Sequence, residues 1–214
     1  MLDIKDLGIR FGNETLFSHL DLQVRSGEVV CLTGPSGCGK TTLLKAVMGF
    51  VEPYKGTIAV DNTLLTPRTA DTIRHRIAWM PQGLSLPTEW VYDMIQLPFH
   101  LRVNRGVHFS EERLFDYFDR LGLEKELLDK RLLEISGGQY QRILLSITAM
   151  QEKPLIIVDE PTSALDHDST EKALQFIRHL AENEQRAVLA VSHEKRFIQG
   201  CDREFIVRKQ EVRK

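Results

Sequence analysis

The chain has 214 residues and a formal net charge of −2, and apolar residues make up 42% of it. This length and apolar content predict one large domain, or one domain with an insert, with a substantial core. The near-neutral charge gives no basic field that would attract nucleic acid, so no nucleic-acid partner is expected. No apolar run reaches the roughly 20 residues that a membrane helix needs, so the expected location is the cytoplasm. A path through a membrane would have to come from another chain.

The first 60 residues predict three strands with polar and apolar residues in alternation, at positions 2–9, 20–24 and 57–60. The last of these is expected in an antiparallel hairpin. Val29–Thr33 is a short β-branched run that ends in a glycine-rich turn. After this turn a helix is predicted, with Gly49 placed to end it. Its apolar residues at helical spacing are Leu43, Leu44, Val47 and Met48.

The middle of the chain, from about residue 83 to residue 150, predicts helices rather than strands. One helical face is formed by Leu114, Phe115, Phe118 and Leu121, and a second by Ile143, Leu144 and Ile147. Apolar strands then return at residues 155–158 and Ala187–Val191, with a helix predicted between them at residues 170–182. Alternating strands and helices of this kind predict a mostly parallel sheet that is covered on both faces.

Residues 34–41 match the phosphate-loop pattern G-x-x-x-x-G-K-[ST], between a predicted strand and a predicted helix. Glycines let the backbone wrap around an anion, and the helix N-terminus directs N–H groups at its phosphates. Lys40 is expected to bind the β- and γ-phosphates, and the Thr41 hydroxyl is expected to bind Mg²⁺. The predicted nucleotide contacts here are Gly34, Pro35, Ser36, Gly37, Cys38, Gly39, Lys40, Thr41 and Thr42.

Two acids, Asp159 and Glu160, follow the apolar run at residues 155–158. The carboxyl end of a buried parallel strand lies where α/β sheets bind ligands, so Asp159 is expected to hold Mg²⁺. Because side chains alternate along a strand, Glu160 is expected to face a different direction and to orient or deprotonate the attacking water. The alternative is a strand that simply ends in two solvated acids.

The segment Ile135-Ser-Gly-Gly-Gln139 resembles the signature of ABC ATPases, usually Leu-Ser-Gly-Gly-Gln, and Ser136 is placed to cap a helix. The resemblance implies that Ser136, Gly137, Gly138 and Gln139 contact ATP that is bound to a second subunit. Other motifs of the family follow its order. The departures are Ile135 for leucine, Tyr140 after the signature, and Ser146-Ile-Thr148 for Ala-Arg-Ala.

The same resemblance implies roles for four further residues. Phe11 matches the aromatic residue that stacks on adenine, with ordinary core packing as the alternative. Gln82 matches the glutamine that contacts Mg²⁺ and the attacking water. Asp166 ends a Ser-Ala-Leu-Asp segment that spans the dimer, and His193 matches the histidine that contacts the γ-phosphate. Glu160, His193 and Gln82 are thus the predicted catalytic residues, and Thr41, Gln82 and Asp159 the predicted metal ligands.

The resemblance covers the whole chain and implies an α/β P-loop NTPase core with a mostly parallel sheet. It adds an N-terminal antiparallel β subdomain and an inserted α-helical subdomain. The single domain 1–214 then divides into an ATP-binding core, 1–82 and 151–214, and the helical subdomain at about 83–150. The implied cofactors are ATP and Mg²⁺. The implied partners are a second copy of the chain and a transmembrane permease, on the inner face of the cell membrane.

The implied function is ATP hydrolysis that drives transport, and export of iron or another metal is one expectation for the cargo. Lipoprotein-release and antibiotic-efflux ATPases are similar alternatives. A soluble ABC ATPase for DNA repair or translation is a further alternative. Lys40 and Ser136 are 96 positions apart, which leaves no room for the long coiled coil of the chromosome-type members. A regulatory module without catalysis would not need Lys40, Asp159, Glu160 and His193 together.

Overall fold

The computed structural model describes residues 1–12 and 14–208. Residues 13 and 209–214, which belong to the predicted domain, lie outside the described residues. The first elements are β1 (Leu2–Phe11), β2 (Glu14–Val24), β3 (Val29–Thr33), α1 (Lys40–Val47), β4 (Lys55–Val60), β5 (Thr63–Leu64), α2 (Ala70–Arg74) and β6 (Ile77–Met80). They are followed by α3 (Val91–Gln96), α4 (Glu111–Leu121), α5 (Gly137–Met150), β7 (Leu155–Asp159), α6 (His167–Glu182), β8 (Ala187–Val191), α7 (Lys195–Gly200) and β9 (Arg203–Ile206).

The N-terminal strands form an antiparallel sheet with the order β2-β1-β4-β5. The central strand β1 places Leu2 opposite both Val24 of β2 and Val60 of β4. All three side chains are buried, because alternate residues of these strands face the core. The predicted hairpin strand at residues 57–60 is therefore confirmed, and it begins two residues earlier, at Lys55.

The second sheet is parallel, with the order β6-β7-β8-β3-β9. Every residue of β3, β7 and β8 is buried, as expected for central strands that are covered on both faces. Val191 at the end of β8 pairs with Asp159 of β7 and with Leu32 of β3. The carboxyl ends of the three central strands therefore lie level at one edge of the sheet, which positions the loops that follow them.

The region from residue 83 to residue 150 contains α3, α4 and α5 together with short 3₁₀ helices. Helix α4 begins where Ser110 accepts a hydrogen bond from the backbone N–H of Arg113, and it ends at Gly122 with φ of 63°. Its apolar face packs in one core with α5, α6 and the adjacent face of the parallel sheet. No helix of the described residues is long and apolar enough to cross a membrane.

Several element boundaries differ from the sequence prediction. Strand β1 extends to Phe11 and β2 starts at Glu14, because the two strands pair along their full length. Helix α6 begins at His167 rather than at residue 170, because Asp166 accepts a hydrogen bond from the Ser169 backbone N–H and caps it. Phe115 is only half-buried, and the Lys125 ammonium lies 4.3 Å from its ring centroid. The prediction included neither β6 nor β9, which are short strands of four residues.

Candidate functional site

A cavity of about 480 Å³ lies at the edge where the central strands of the parallel sheet end. This volume is within the range of small-ligand sites. The cavity is lined by residues from five separate parts of the chain, and most of the predicted nucleotide contacts are among them. They are Phe11, Leu16, Gly34, Ser36, Gly37, Gly39, Lys40, Thr41, Thr42, Gln82, Asp159, Glu160, Val191 and His193.

The phosphate loop joins β3 to α1 and depends on glycine at positions where other residues would be strained. Gly34 has φ of 138° and Gly39 has φ of 104°, both in the region that favours glycine. A Cβ on Gly39 would also lie 2.5 Å from Leu16 Cδ2, and one on Gly34 would collide with the Val207 carbonyl oxygen. These glycines therefore let the loop curve tightly at the N-terminus of α1, where backbone N–H groups favour an anion.

The amino group of Lys40 is hydrogen-bonded to the backbone of this loop. Nζ donates to the carbonyl oxygens of Gly34 at 2.8 Å and Pro35 at 3.1 Å. Pro35 and Cys38 do not line the cavity, and the Cys38 side chain is only 3% exposed. Any nucleotide contact of these two residues would therefore come from the backbone of the loop and not from their side chains.

Thr41 and Asp159 face each other across the cavity edge. The Thr41 hydroxyl donates to Asp159 Oδ2 at 3.1 Å, so two of the three predicted metal ligands are adjacent. Burial raises the pKa of the Asp159 carboxyl, and the negative charge of Glu160 acts in the same direction. The Thr41 hydrogen bond and the charges of Lys40 and Lys45 act in the opposite direction. A cation bound at Asp159 would likewise favour the ionised carboxylate and so would lower its pKa.

Oxygen ligands of this kind fit Mg²⁺. No three His, Cys, Asp or Glu side chains of residues 1–12 and 14–208 lie together as a metal-binding group. Mg²⁺ does not need such a cluster, because in nucleotide sites it is bound by one or two protein oxygens, phosphates and water. Thr41 Oγ1 and Asp159 Oδ2 supply that small number of oxygens, and Gln82 lines the same cavity.

Glu160 lies just after β7 and has an unusual backbone conformation. Its φ is 55°, the left-handed region, which costs a residue other than glycine on the order of 1–3 kcal/mol. Its N–H donates to the Val191 carbonyl oxygen at 2.9 Å, and its carboxylate lies 2.9 Å from His193 Nδ1. The predicted alternation along a strand is wrong at this position. Asp159 and Glu160 line the same cavity because the chain turns sharply between them.

Gln82 and His193 reach the cavity from two strands of the parallel sheet. Gln82 lies just beyond the end of β6, and His193 lies just beyond the end of β8. Sheet order places β6 next to β7, so the residue that follows Pro81 lies beside the acidic end of β7. The His193 side chain is 79% exposed. Among the described residues its one ion pair is with Glu160. The resemblance predicted both residues, whereas the strand β6 that positions Gln82 was not predicted.

Phe11 ends β1 and is 56% exposed, so the alternative reading of this residue as ordinary core is wrong. The ring lines the cavity together with Leu16 of β2. An exposed aromatic face beside a phosphate-binding loop fits a flat base. The sequence analysis did not identify Leu16. The only signal was its place in a strand that follows Phe11, which does not distinguish it from other core residues.

The signature residues lie outside this cavity, at the N-terminus of α5. Ser136 Oγ accepts a hydrogen bond from the Gln139 backbone N–H at 3.1 Å, and Gln139 Oε1 accepts one from the Ser136 N–H at 2.8 Å. This is the capping box that such spacing produces, and the predicted cap is confirmed. Ser136 and Gly137 are exposed, and Asp166 also lies outside the cavity, at the start of α6.

The departures from the usual signature are accommodated in and around α5. The Tyr140 hydroxyl donates to the Leu84 carbonyl oxygen at 2.8 Å, which connects the helix to the segment that follows Gln82. Ser146 and Thr148 donate to carbonyl oxygens of their own helix, at 2.7 Å each. Ile135 packs against the core, in keeping with an apolar exchange.

Comparison with known proteins agrees with this geometry. The ABC transporter family model matches residues 17–163. The probable iron export ATP-binding protein FetA of Escherichia coli is 32% identical over 205 residues, which are 95% of this chain and 89% of that protein. The zinc uptake ATP-binding protein ZnuC of Bacillus subtilis is 29% identical over 208 residues, 93% and 87% of the two chains.

The fold has similar solved structures. The ATP-binding cassette MJ0796, in a dimeric post-hydrolysis state bound to ADP and Pi, has a TM-score of 0.80 and 26% identity. The match covers 97% of this chain and 94% of that chain. The predicted P-loop NTPase fold with its two sheets is thus confirmed. The chain belongs to the ABC transporter family, as an ATP-binding subunit that hydrolyses ATP to drive transport.

Proposed function

We propose that two copies of this chain close head to tail around two MgATP molecules and drive a separate membrane permease. The observation that carries the proposal is the division of the predicted site. Lys40, Asp159 and Glu160 line one cavity, whereas Ser136 and Gly137 lie outside it and are exposed. A two-fold dimer would place the signature of one copy over the cavity of the other. The dimeric MJ0796 cassette supports this arrangement.

In this proposal each residue of the cavity has one role. The N–H groups of the phosphate loop and Lys40 bind the phosphates of ATP, and Phe11 stacks on the adenine. Thr41, Gln82 and Asp159 would hold Mg²⁺, which neutralises charge on the phosphates when it is bound. Glu160 accepts a proton from the water that attacks the γ-phosphorus, while the bond from that phosphorus to the bridging oxygen breaks. His193, 2.9 Å from the Glu160 carboxylate, keeps it oriented toward the γ-phosphate.

The test is complementation between two inactive variants. Lys40→Ala removes the phosphate-binding charge. Gly137→Asp adds a carboxylate at an exposed position with room for a Cβ, whose nearest neighbour would be Ala164 Cβ at 3.8 Å. Asp is favourable in the first turn of a helix, but it would repel the phosphates of ATP held by the partner. Either variant alone is expected to have little turnover.

An equal mixture of the two variants is expected to recover up to about a quarter of the parent turnover. At ATP concentrations high enough for Lys40→Ala to bind, random association makes half of the dimers mixed, and each mixed dimer has one intact site of two. Phosphate release measures this recovery, and Glu171→Gln, at an exposed position on α6 outside the cavity, is the control that keeps activity. A mixture that remains as inactive as its components would show that the signature does not act across a dimer.

The surface that we propose for the permease is the segment at residues 83–102, which is rich in aromatic residues, together with a groove of about 890 Å³ that includes Leu101 and Arg102. Phe50 and Leu101 line the groove and are 58% and 50% exposed. Trp90 and Tyr92 are also exposed, whereas Phe99 packs on Phe109 with centroids 5.5 Å apart. Exposed apolar residues in the segment that follows Gln82 in the chain suit a short helix of a membrane subunit, because that segment would connect the contact to the ATP site.

We expect the double variant Phe50→Ser and Leu101→Ser to lose copurification with the coexpressed permease subunit while it keeps at least half of its own ATP turnover. Truncation of two exposed apolar anchors typically costs an interface 2 kcal/mol or more, roughly 30-fold in affinity. Leu133→Ser is the matched control, since Leu133 is 97% exposed and does not line the groove. Copurification that survives the double change would place the permease elsewhere.

For the cargo we retain metal export as the proposal, supported by the 32% identity with the iron export protein. A zinc uptake protein and a thiamine import protein of Photobacterium profundum are 29% and 31% identical. Such similar values fit an ATPase whose cargo path lies wholly in the permease.

The proposed location is the cytoplasmic face of the cell membrane. The proposed single domain has its core at 1–82 and 151–214 and a helical insert at about 83–150. The described residues contain no long coiled coil, which disfavours the chromosome-type alternative.

A further inference from the structure

We propose that Gln141 is a positioning residue for ATP hydrolysis, whose buried carboxamide fixes the backbone of Glu160 and of the loop that follows it. The inference rests on the proposed role of Glu160. Gln141 lies in the first turns of α5, two residues after the signature, and is only 9% exposed. Its described hydrogen bonds go to Glu160, Ser163 and Ala164 and it does not line the cavity, so it would act only through Glu160.

Both ends of the Gln141 amide are bonded to the catalytic segment. Nε2 donates to the Glu160 carbonyl oxygen at 2.6 Å and to Ser163 Oγ at 3.2 Å. Oε1 accepts a hydrogen bond from the Ala164 backbone N–H at 2.9 Å. This use of donors and an acceptor together requires a carboxamide, since a carboxylate only accepts and a hydrocarbon does neither. The side chain therefore spans the turn from Glu160 to Ala164.

Glu160 needs such support because its backbone is in the left-handed region, with φ of 55°. Strained conformations of this kind persist only where the surroundings hold the residue on several sides. The Glu160 N–H is held by the Val191 carbonyl oxygen, and its C=O is held by Gln141. With both ends of the residue fixed, the carboxylate stays 2.9 Å from His193. Without Gln141 the Glu160 carbonyl oxygen would keep only the longer hydrogen bond from the Ser163 N–H, at 3.4 Å, and the carboxylate would be held less firmly in line.

The same contacts connect two parts of the ATP machinery within one chain. Ser136 and Gln139 form the capped first turn of α5, and Gln141 extends from the next positions of that helix to Glu160. In the proposed dimer the signature serves one ATP while Glu160 of the same chain serves the other. A shift of α5 would therefore reach the catalytic carboxylate of the opposite site directly, through one side chain.

The test is Gln141→Met, which keeps the length of the side chain and removes all three hydrogen bonds. We expect kcat to fall about 10- to 100-fold, the range for a misplaced catalytic group, with ATP affinity and KM within about twofold of the parent. MgATP-dependent dimerisation in the Glu160→Gln background should persist. Tyr117→Phe is the matched control, because it removes a partly buried hydrogen bond to Glu184 outside the cavity and should leave kcat unchanged.

Gln141→Asn is the second variant, which keeps the amide but is one methylene shorter and is expected to lose kcat in the same way. A thermal melt of each variant establishes that it is folded. Parental kcat in either folded variant would overturn the proposal, as would an equal loss of ATP affinity and kcat. Glu160→Gln distinguishes the two levels of inference. If it keeps full turnover, the proposed role of Glu160 fails, whereas loss in Glu160→Gln with none in Gln141→Met rejects Gln141 alone.

Discussion

The Glu160→Gln variant is expected to bind MgATP, to accumulate as a dimer, and to hydrolyse ATP at least about 100-fold more slowly than the parent. A positioned general base contributes roughly 10²- to 10⁴-fold to a rate, and an amide cannot take up the proton of the attacking water. Glutamine has the shape of glutamate, which matters because Glu160 is only 9% exposed and has a strained backbone. Binding and closure should therefore survive while the chemical step is lost.

Size-exclusion chromatography with light scattering gives the oligomeric state with and without MgATP, and phosphate release gives the turnover. Glu171→Gln is the matched control, since Glu171 is exposed on α6. Among the described residues its side chain accepts one hydrogen bond, from Gln175. Parental turnover in Glu160→Gln would rule out Glu160 as the catalytic carboxylate. A variant that remains monomeric would be repeated with the permease subunit. Dimerisation only with that subunit would show that closure needs the membrane partner. The departures at Ile135 and Tyr140 would then not be the reason that the isolated chain stays monomeric.

The Lys40→Ala variant is expected to bind ATP about 10- to 100-fold more weakly and to remain monomeric with MgATP. Hydrogen bonds from a charged donor contribute about 1.5–3 kcal/mol, and each 1.4 kcal/mol is tenfold in affinity. The Lys40 amino group lies over the loop, within 3.1 Å of the Gly34 and Pro35 carbonyl oxygens, where the phosphates are proposed to bind. Without the phosphates in place, the second copy has no ligand to close on.

Isothermal titration calorimetry with ATP, on a chain that carries Glu160→Gln to prevent turnover, measures the loss directly. Lys45→Ala is the matched control, because Lys45 is an exposed lysine on the same helix that does not line the cavity. If Lys40→Ala bound ATP as tightly as the Lys45 control, the phosphates would have to bind somewhere other than this loop. Wild-type-like dimerisation of Lys40→Ala would separate closure from nucleotide binding.

The local motifs were readable because each depends on short-range physics. Val29–Thr33 and Ala187–Val191 are apolar, β-branched runs, and the structure confirms both strands to the residue. Gly49 ends α1 with φ of 75°, since a left-handed residue satisfies the last carbonyl groups of the helix. Ser136 caps α5 as predicted. The alternating strands and helices similarly indicated a mostly parallel sheet, and the family resemblance supplied the identity of the ATPase.

Weaker signals were lost where pairing or packing determines the conformation. Strand β6 has four residues and is stabilised by its parallel pairing with β7, so its short sequence has too little pattern to reveal it. Strand β9 at the opposite edge of the sheet is similar. Phe11 could not be distinguished from a core residue until β1 was seen to end at the cavity. The direction of the Glu160 side chain was attributed to strand alternation, whereas a left-handed turn determines it.

The sequence by itself determined which residues carry charge, which glycines allow the phosphate loop to curve, and which family the motifs resemble, because these depend on residue type and spacing. Only the tertiary structure showed that Lys40, Gln82 and Glu160 share one cavity while the signature lies outside it. It also showed that Gln141 spans the turn after Glu160. Both depend on contacts between residues far apart in the chain, and sheet order and helix packing, rather than any local pattern, bring those residues together.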